Sequence, residues 1–268
     1  MNVLIAADME GIAGIESYRD CLPSHPAAYR RGRRQMTDEV LVAIEALRAA
    51  GAERISVGDW HMVGTNVERE RMPADVEVRP IADLALAEAE PSMAKAHGGP
   101  LDAVVMIGHH ARTPSPRGFC SHTFVWGMEV LLDGDSLSET QTYAQALAAE
   151  GVPILVAAGD RWLLEEMREG ELGSARLLTT KEGEGRGRAR SLEPADAHIA
   201  LREAIAAGGR RSRGRRWPPR PSSSPRSPRS SATARSRRST ASWRSCSRRP
   251  IHGCAPCSAG PAAPWRRR

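Results

Sequence analysis

Near its N-terminus the chain reads Ile5-Ala6-Ala7-Asp8-Met9-Glu10-Gly11-Ile12, which sets two carboxylates two residues apart at the end of a short apolar run. Side chains at i and i+2 on extended backbone lie on one side, so Asp8 and Glu10 can face one point. No basic residue lies between Met1 and Glu16. If partly buried, such a pair needs compensating positive charge, and a metal ion is the commonest supplier; the plainer reading is an exposed acidic turn. Further residues able to bind a metal or move a proton follow at intervals: His61 after Asp59-Trp60, His109 and His110 after Gly108, His122 after Cys120-Ser121, and Glu139.

The elements that must bring these residues together are legible from periodicity. Asn2–Ala7, Ile55–Gly58, Ala103–Ile107 and Pro153–Ala158 are short apolar runs of the kind a parallel sheet buries on both faces. Val76–Ile81 predicts an edge strand, because Pro80 is poorly tolerated in a central one, and Arg176–Thr179 one more short strand. Between them, Tyr29–Ala50 predicts a helix with Met36, Val40, Ile44 and Leu47 on one face and Gly51 at its end. Its Arg30, Arg31, Arg33 and Arg34 read as a solvated face. Further helices are expected at Glu139–Glu150, Arg161–Glu169 and Asp196–Ala207, the last with Ile199, Leu201 and Ile205 as apolar positions. Asp133-Gly134 predicts a hairpin turn between Phe124–Leu132 and Ser136-Leu137. The alternation implies an α/β fold: a mostly parallel sheet flanked by helices in three αβα layers.

That topology supplies convergence. In an open parallel sheet the carboxyl ends of the strands lie along one edge, and ligands bind there. Asp8 and Glu10 follow the first strand, His61 the second, and the His109-His110 pair another; Glu139, opening a helix, can join them. Two histidines and three carboxylates suit zinc, with manganese as second choice, and suffice for two ions sharing a bridging carboxylate. Each member alone has an ordinary alternative, a hydrogen-bonded histidine or a first-turn helix acid. Adjacent side chains point to opposite sides, so one of His109 and His110 is expected as a ligand, and the residues alone do not say which. His122 is a candidate acid/base or charge-stabilising group. His25, His97, His198 and His252 lack such context and are expected at the surface.

The composition divides at about residue 208. Residues 1–208 carry 21 Lys and Arg against 32 Asp and Glu, whereas residues 209–268 carry 17 Arg and no acid. The latter segment has no Leu, Val or Phe and one Ile, too little apolar surface to offset the entropy of ordering, and is expected to be disordered. A basic arm for nucleic acid and a flexible extension are two readings of it. The favoured third is that a GC-rich gene is being read out of frame there, since Trp217, Trp243 and Trp265 have no aliphatic company. With only Cys21 and Cys120 in the first part, no signal-like start and no apolar run long enough to span a bilayer, the expectation is a soluble cytoplasmic protein.

In order and spacing, Asp8-Met9-Glu10-Gly11-Ile12, Asp59-Trp60-His61, Gly108-His109-His110-Ala111-Arg112, Ser121-His122, Glu139, and Val152-Pro153 to Gly159-Asp160 resemble the zinc-dependent D-aminopeptidases of the dipeptide-transport operon type. The likeness runs from Met1 to about Ala207. It implies a binuclear zinc enzyme that removes N-terminal D-amino acids, such as D-Ala, from short peptides and assembles as a homo-oligomeric ring. Carried over residue by residue, Asp8, Glu10, His61, His110 and Glu139 correspond to the metal ligands, with Asp8 bridging, and His122 to the catalytic histidine. The sequence departs from the family at Trp60, commonly a small residue, at Ser138, where a Gly precedes the last ligand, and at Tyr143, often Asn. It departs again after residue 208, where the family continues with a second strand-bearing region. The alternatives are another metal-dependent amidase or a phosphoester hydrolase, the latter wanting cations such as Arg112 and Arg117 near the metals, or a non-catalytic peptide- or metal-binding component of a transport system.

Overall fold

A computed structural model of the chain describes residues 1–80, 97–168 and 175–213. Its strands are β1 (Asn2–Ala7), β2 (Arg54–Asp59), β3 (Glu77–Pro80), β4 (Ala103–His109), β5 (Val130–Leu132), β6 (Asp135–Leu137), β7 (Ile154–Asp160), β8 (Arg176–Gly183) and β9 (Ala189–Ser191), and its α-helices are α1 (Pro26–Ala49), α2 (Glu139–Ala149), α3 (Arg161–Arg168) and α4 (Pro194–Arg213). Seven strands form one sheet in the order β3-β2-β1-β4-β7-β8-β9. Every neighbouring pair is parallel except β8 with β9, while β5 and β6 make a separate antiparallel hairpin. The expected mostly parallel sheet between helices is therefore the architecture observed.

Both faces of the central strands are buried, which is why they read as continuous apolar runs. Val3, Ile5, Val105 and Ile107 pack on one face with Met36, Val40, Ile44 and Leu47 of α1 and Leu201 and Ile205 of α4. Leu4, Ala6, Val104 and Met106 pack on the other with Ala144 and Leu147 of α2 and Leu163 and Leu164 of α3. Burying each such aliphatic side chain contributes about 1.5–3 kcal/mol, so this is where the sheet gets its stability.

Several details differ from the sequence reading. Ile199, expected on the buried face of the last helix, is 59% exposed. Ala197, Leu201 and Ile205 hold that face instead, because a spacing of four keeps to one side of a helix and a step of two crosses it. The first hairpin strand is confined to Val130–Leu132, since Phe124 (φ 59°) and Gly127 (φ 80°) break the extended backbone before it. His97, expected at the surface, is fully buried against β2. It fits because Gly58 has no side chain; a Cβ there would meet His97 Cε1 at 2.8 Å. β9 was not anticipated, being three residues long and rich in Arg around it. Helix α4 continues to Arg213, past the composition boundary at 208; the rest of the Arg/Ser/Pro segment lies outside the described residues, as do the predicted ends Ile81 and Glu169.

Candidate metal centre

Asp8 lies just beyond β1, and its backbone N–H continues the ladder to Ile107 O at 2.9 Å. The chain then turns across the end of β4, Gly11 N–H donating to Gly108 O at 2.6 Å. This approach needs two residues without Cβ atoms. A side chain at Gly11 would collide with the His109 carbonyl, and one at Gly108 (φ 74°) with the Asp8 carbonyl. The crossing brings the Asp8 and Glu10 carboxylates against the histidines that end β2 and β4.

Asp8 Oδ1 is 3.4 Å from His61 Nδ1, and its Oδ2 is 3.3 Å from His110 Nε2. Glu10 Oε2 is 3.0 Å from His61 Nδ1. Glu139, the first residue of α2 after the N-cap Ser138, places Oε1 at 3.9 Å from His110 Nε2 and 3.5 Å from His122 Nε2. Asp8, Glu10, His61, His110 and Glu139 are all buried. Two overlapping groups can each enclose a cation, Asp8-Glu10-His110 and His110-His122-Glu139, the donor atoms within each lying inside 4.8 Å. All six residues singled out from the sequence thus meet at one end of the sheet.

The three histidines share an orientation. His61 Nε2 is 2.8 Å from Cys21 O, His110 Nδ1 is 3.0 Å from Ala111 O, and His122 Nδ1 is 2.8 Å from Cys120 O. A carbonyl only accepts, so each of these nitrogens carries the proton, and the opposite nitrogen of each ring faces the carboxylates. That is the outer hydrogen bond that sets the tautomer of metal-binding histidines. His109 differs: Nε2–H donates to Ala6 O at 3.2 Å and Nδ1 accepts from the Thr140 hydroxyl at 3.0 Å, which leaves neither nitrogen for the cluster.

The charges agree. Burial alone would raise the Asp8 carboxyl, but hydrogen bonds and charge from His110 and His61 outweigh it and hold it well below the usual range. Burial lowers His61 and His110, yet the charge of Glu10 with the hydrogen bond to Asp8, for His61, and the Asp8 contacts, for His110, lift both well above an ordinary histidine. Burial raises Glu139 to about 7. His122 is lowered, first by burial and then by the positive charge of His110. The carboxylates draw protons onto the two inner histidines and have no Lys or Arg partner among the described residues, so the donor set fits a divalent cation, which would displace those protons.

Supporting contacts lay beyond the reach of sequence reasoning. Asp59 accepts N–H groups from Asn66 at 2.5 Å and Val67 at 2.8 Å, and the Asn66 amide donates to His61 O at 2.5 Å, bracing the segment that carries His61. Asp160 accepts from Phe119 N–H at 2.9 Å and Gly183 N–H at 3.1 Å, fixing the loop before His122. Only Asp59 and Asp160 carried a signal, as acids at strand ends. The two cations a phosphoester would want are otherwise engaged: Arg112 pairs with Glu166 at 3.7 Å, and Arg117 lies 3.5 Å above the Trp162 ring. Among the described residues no helix is long and apolar enough to cross a membrane.

Comparison with known proteins adds two findings. The family model of the M55 peptidases, described as D-aminopeptidase, matches residues 1–239. Among solved structures, the Zn-dependent D-aminopeptidase DppA from Bacillus subtilis, described as a self-compartmentalizing protease, aligns with a TM-score of 0.68 at 22% identity, covering 80% of this chain and 75% of that one. No curated protein sequence matches.

Proposed function

Because the chain belongs to the M55 peptidase family, the D-aminopeptidases, and is thus a metallo-peptidase, we propose that it uses two zinc ions to hydrolyse N-terminal D-amino acids, such as D-Ala, from short peptides. The observation that carries this reading is the common orientation of His61, His110 and His122, each fixed by a backbone carbonyl with its other nitrogen turned to three buried carboxylates. Asp8, Glu10, His61, His110 and Glu139 would hold the ions, Asp8 between them, since its two oxygens face two different histidines. Bound there, such ions supply Lewis-acid polarisation of the scissile carbonyl and acidification of water. His122 is the residue that moves protons. Kept neutral by burial, with Nδ1–H tied to Cys120 O, it offers Nε2 to take a proton from attacking water and return it to the leaving amine. That nitrogen lies 3.5 Å from Glu139, which places it beside the proposed ligands.

Zinc is preferred over manganese by the mixed histidine and carboxylate donors and by the zinc dependence of DppA. A ring-like assembly is proposed from the self-compartmentalizing relative and from Val125, Met128, Leu131 and Leu132, exposed large apolar residues around the β5–β6 hairpin. The free thiols Cys21 and Cys120 fit a reducing compartment. The test is release of D-alanine against L-alanine from alanyl peptides by the purified protein, with zinc or a chelator. Zinc-dependent release of the D-isomer is expected; release of neither isomer, or release unaffected by the chelator, overturns the reading.

A further inference from the structure

A column of four side chains leads from the metal centre to the surface. The His110 and His122 rings stack at 4.1 Å, His122 and Trp126 at 5.1 Å, and the Arg186 guanidinium lies 4.7 Å from the Trp126 ring centroid. Trp126 is half exposed and Arg186 is exposed, so the outer part of the column is open to a ligand. Arg186 has no carboxylate partner among the described residues. Glu184, two positions away, is engaged by Arg190 at 2.7 Å.

The loop that carries Arg186 is tied to the same residue that orients His122. Cys120 N–H donates to Arg186 O at 3.1 Å, and Cys120 O accepts the Nδ1–H of His122 at 2.8 Å. One residue therefore sets the position of both the proton-moving imidazole and the outer cation. The two outer spacings put the guanidinium within about 10 Å of the His122 ring, a distance that one or two extended residues at ~3.3–3.6 Å each, plus a guanidinium–carboxylate contact, would bridge.

We propose that Arg186 binds the C-terminal carboxylate of a dipeptide or tripeptide whose scissile carbonyl lies beside His122, so that the enzyme measures short peptides from both ends. The inference rests on the aminopeptidase reading above. A planar guanidinium suits a carboxylate, and Trp126 beneath it holds the fork in place without neutralising it. Longer peptides carry their carboxylate past Arg186, and blocked ones offer no charge to it.

The test compares D-Ala-Ala with its C-terminal amide, using the zinc-loaded full chain and its Arg186→Gln and Arg186→Lys variants. The wild type is expected to favour the free acid. Arg186→Gln should lower the acid-to-amide ratio of kcat/KM by about tenfold, chiefly through KM for the acid, and Arg186→Lys should restore part of it. An acid-to-amide ratio untouched by Arg186→Gln overturns the assignment while leaving the aminopeptidase reading in place. Hydrolysis of neither peptide overturns both.

Discussion

The imidazoles of His110 and His122 lie face to face, with ring centroids 4.1 Å apart and planes 14° from parallel. Stacked rings that close cannot comfortably carry two positive charges, and the carboxylates decide which one does: His110 is drawn up by Asp8, and His122 is pushed down by burial and by His110. The two rings therefore have separable roles. His110→Ala should lose bound metal together with activity. His122→Asn should keep its metal, measured by elemental analysis of the purified protein, while kcat falls by about 10²–10⁴-fold, the usual contribution of a positioned acid/base. Loss of metal from both variants would merge the roles.

His109 offers the complementary contrast. Its two nitrogens are satisfied by Ala6 O and the Thr140 hydroxyl, and its ring lies edge-on to Trp60 at 5.9 Å. His109→Ala should retain metal but unfold more easily, by about 2–4 kcal/mol for the cavity and the unpaired groups, read from denaturant midpoints.

How much was legible follows from which forces act locally. Met36, Val40, Ile44 and Leu47 announced their helix because burial on one side imposes a period, and the paired acids of Asp8 and Glu10 announced a site because burying them is costly. The strand-end rule then brought His61 and His110 to the same edge without any knowledge of side chains. What sequence could not show depends on contacts between distant residues. The carbonyls of Cys21 and Cys120, which orient two histidines, look like any other backbone. His97 gave no sign of burial because the space it fills is created by a glycine 39 positions earlier, Gly58. Ile199 misled because an apolar residue near a helical stripe need not lie on it.

His97 makes stability depend on acid. Burial, with Arg79 adding to it, lowers its pKa to about 4, and among the described residues neither ring nitrogen has a hydrogen-bond partner. A histidine depressed on folding contributes stability that is fully present above its unfolded value near 6.5 and is lost as pH falls toward 4. Between pH 7.5 and 4.5 the loss should be about 2–3 kcal/mol. In metal-free protein, His97→Leu should remove that share of the acid sensitivity in urea titrations at the two pH values. An undiminished pH slope would place the sensitivity elsewhere.

Gly108 couples backbone conformation to the metal site. At φ 74° it occupies the left-handed region, and a Cβ would strike the Asp8 carbonyl. Gly108→Ala must push β1 and β4 apart just where Asp8 meets His110. The expected result is a loss of several kcal/mol in stability and a weakening of zinc affinity of at least tenfold by competition with a chromogenic chelator. Gly134→Ala, with nothing within 4 Å of its Cβ and also at positive φ, serves as the control that has strain without the collision.

The Arg-rich C-terminal segment is the remaining question that a simple variant answers. Within the described residues the core reaches as far along the chain as Leu201 and Ile205 of α4, which close one face of the sheet, and a Cβ added at Gly208 would lie 3.5 Å from Leu155. Beyond that point the sequence has no Leu, Val or Phe with which to extend the core. A chain ending after Arg213, at the end of α4, should therefore keep its stability within about 1 kcal/mol and retain its metal content, because the sequence removed offers so few aliphatic side chains to bury. The family match runs to residue 239, so the opposite outcome has a definite meaning. If truncation lowers stability by several kcal/mol or abolishes oligomers in sedimentation, residues 214–239 build part of the folded domain despite their composition. If it removes only a steeply salt-dependent binding to DNA, the fourteen arginines beyond Arg213 act as a polycation and the catalytic domain stands without them.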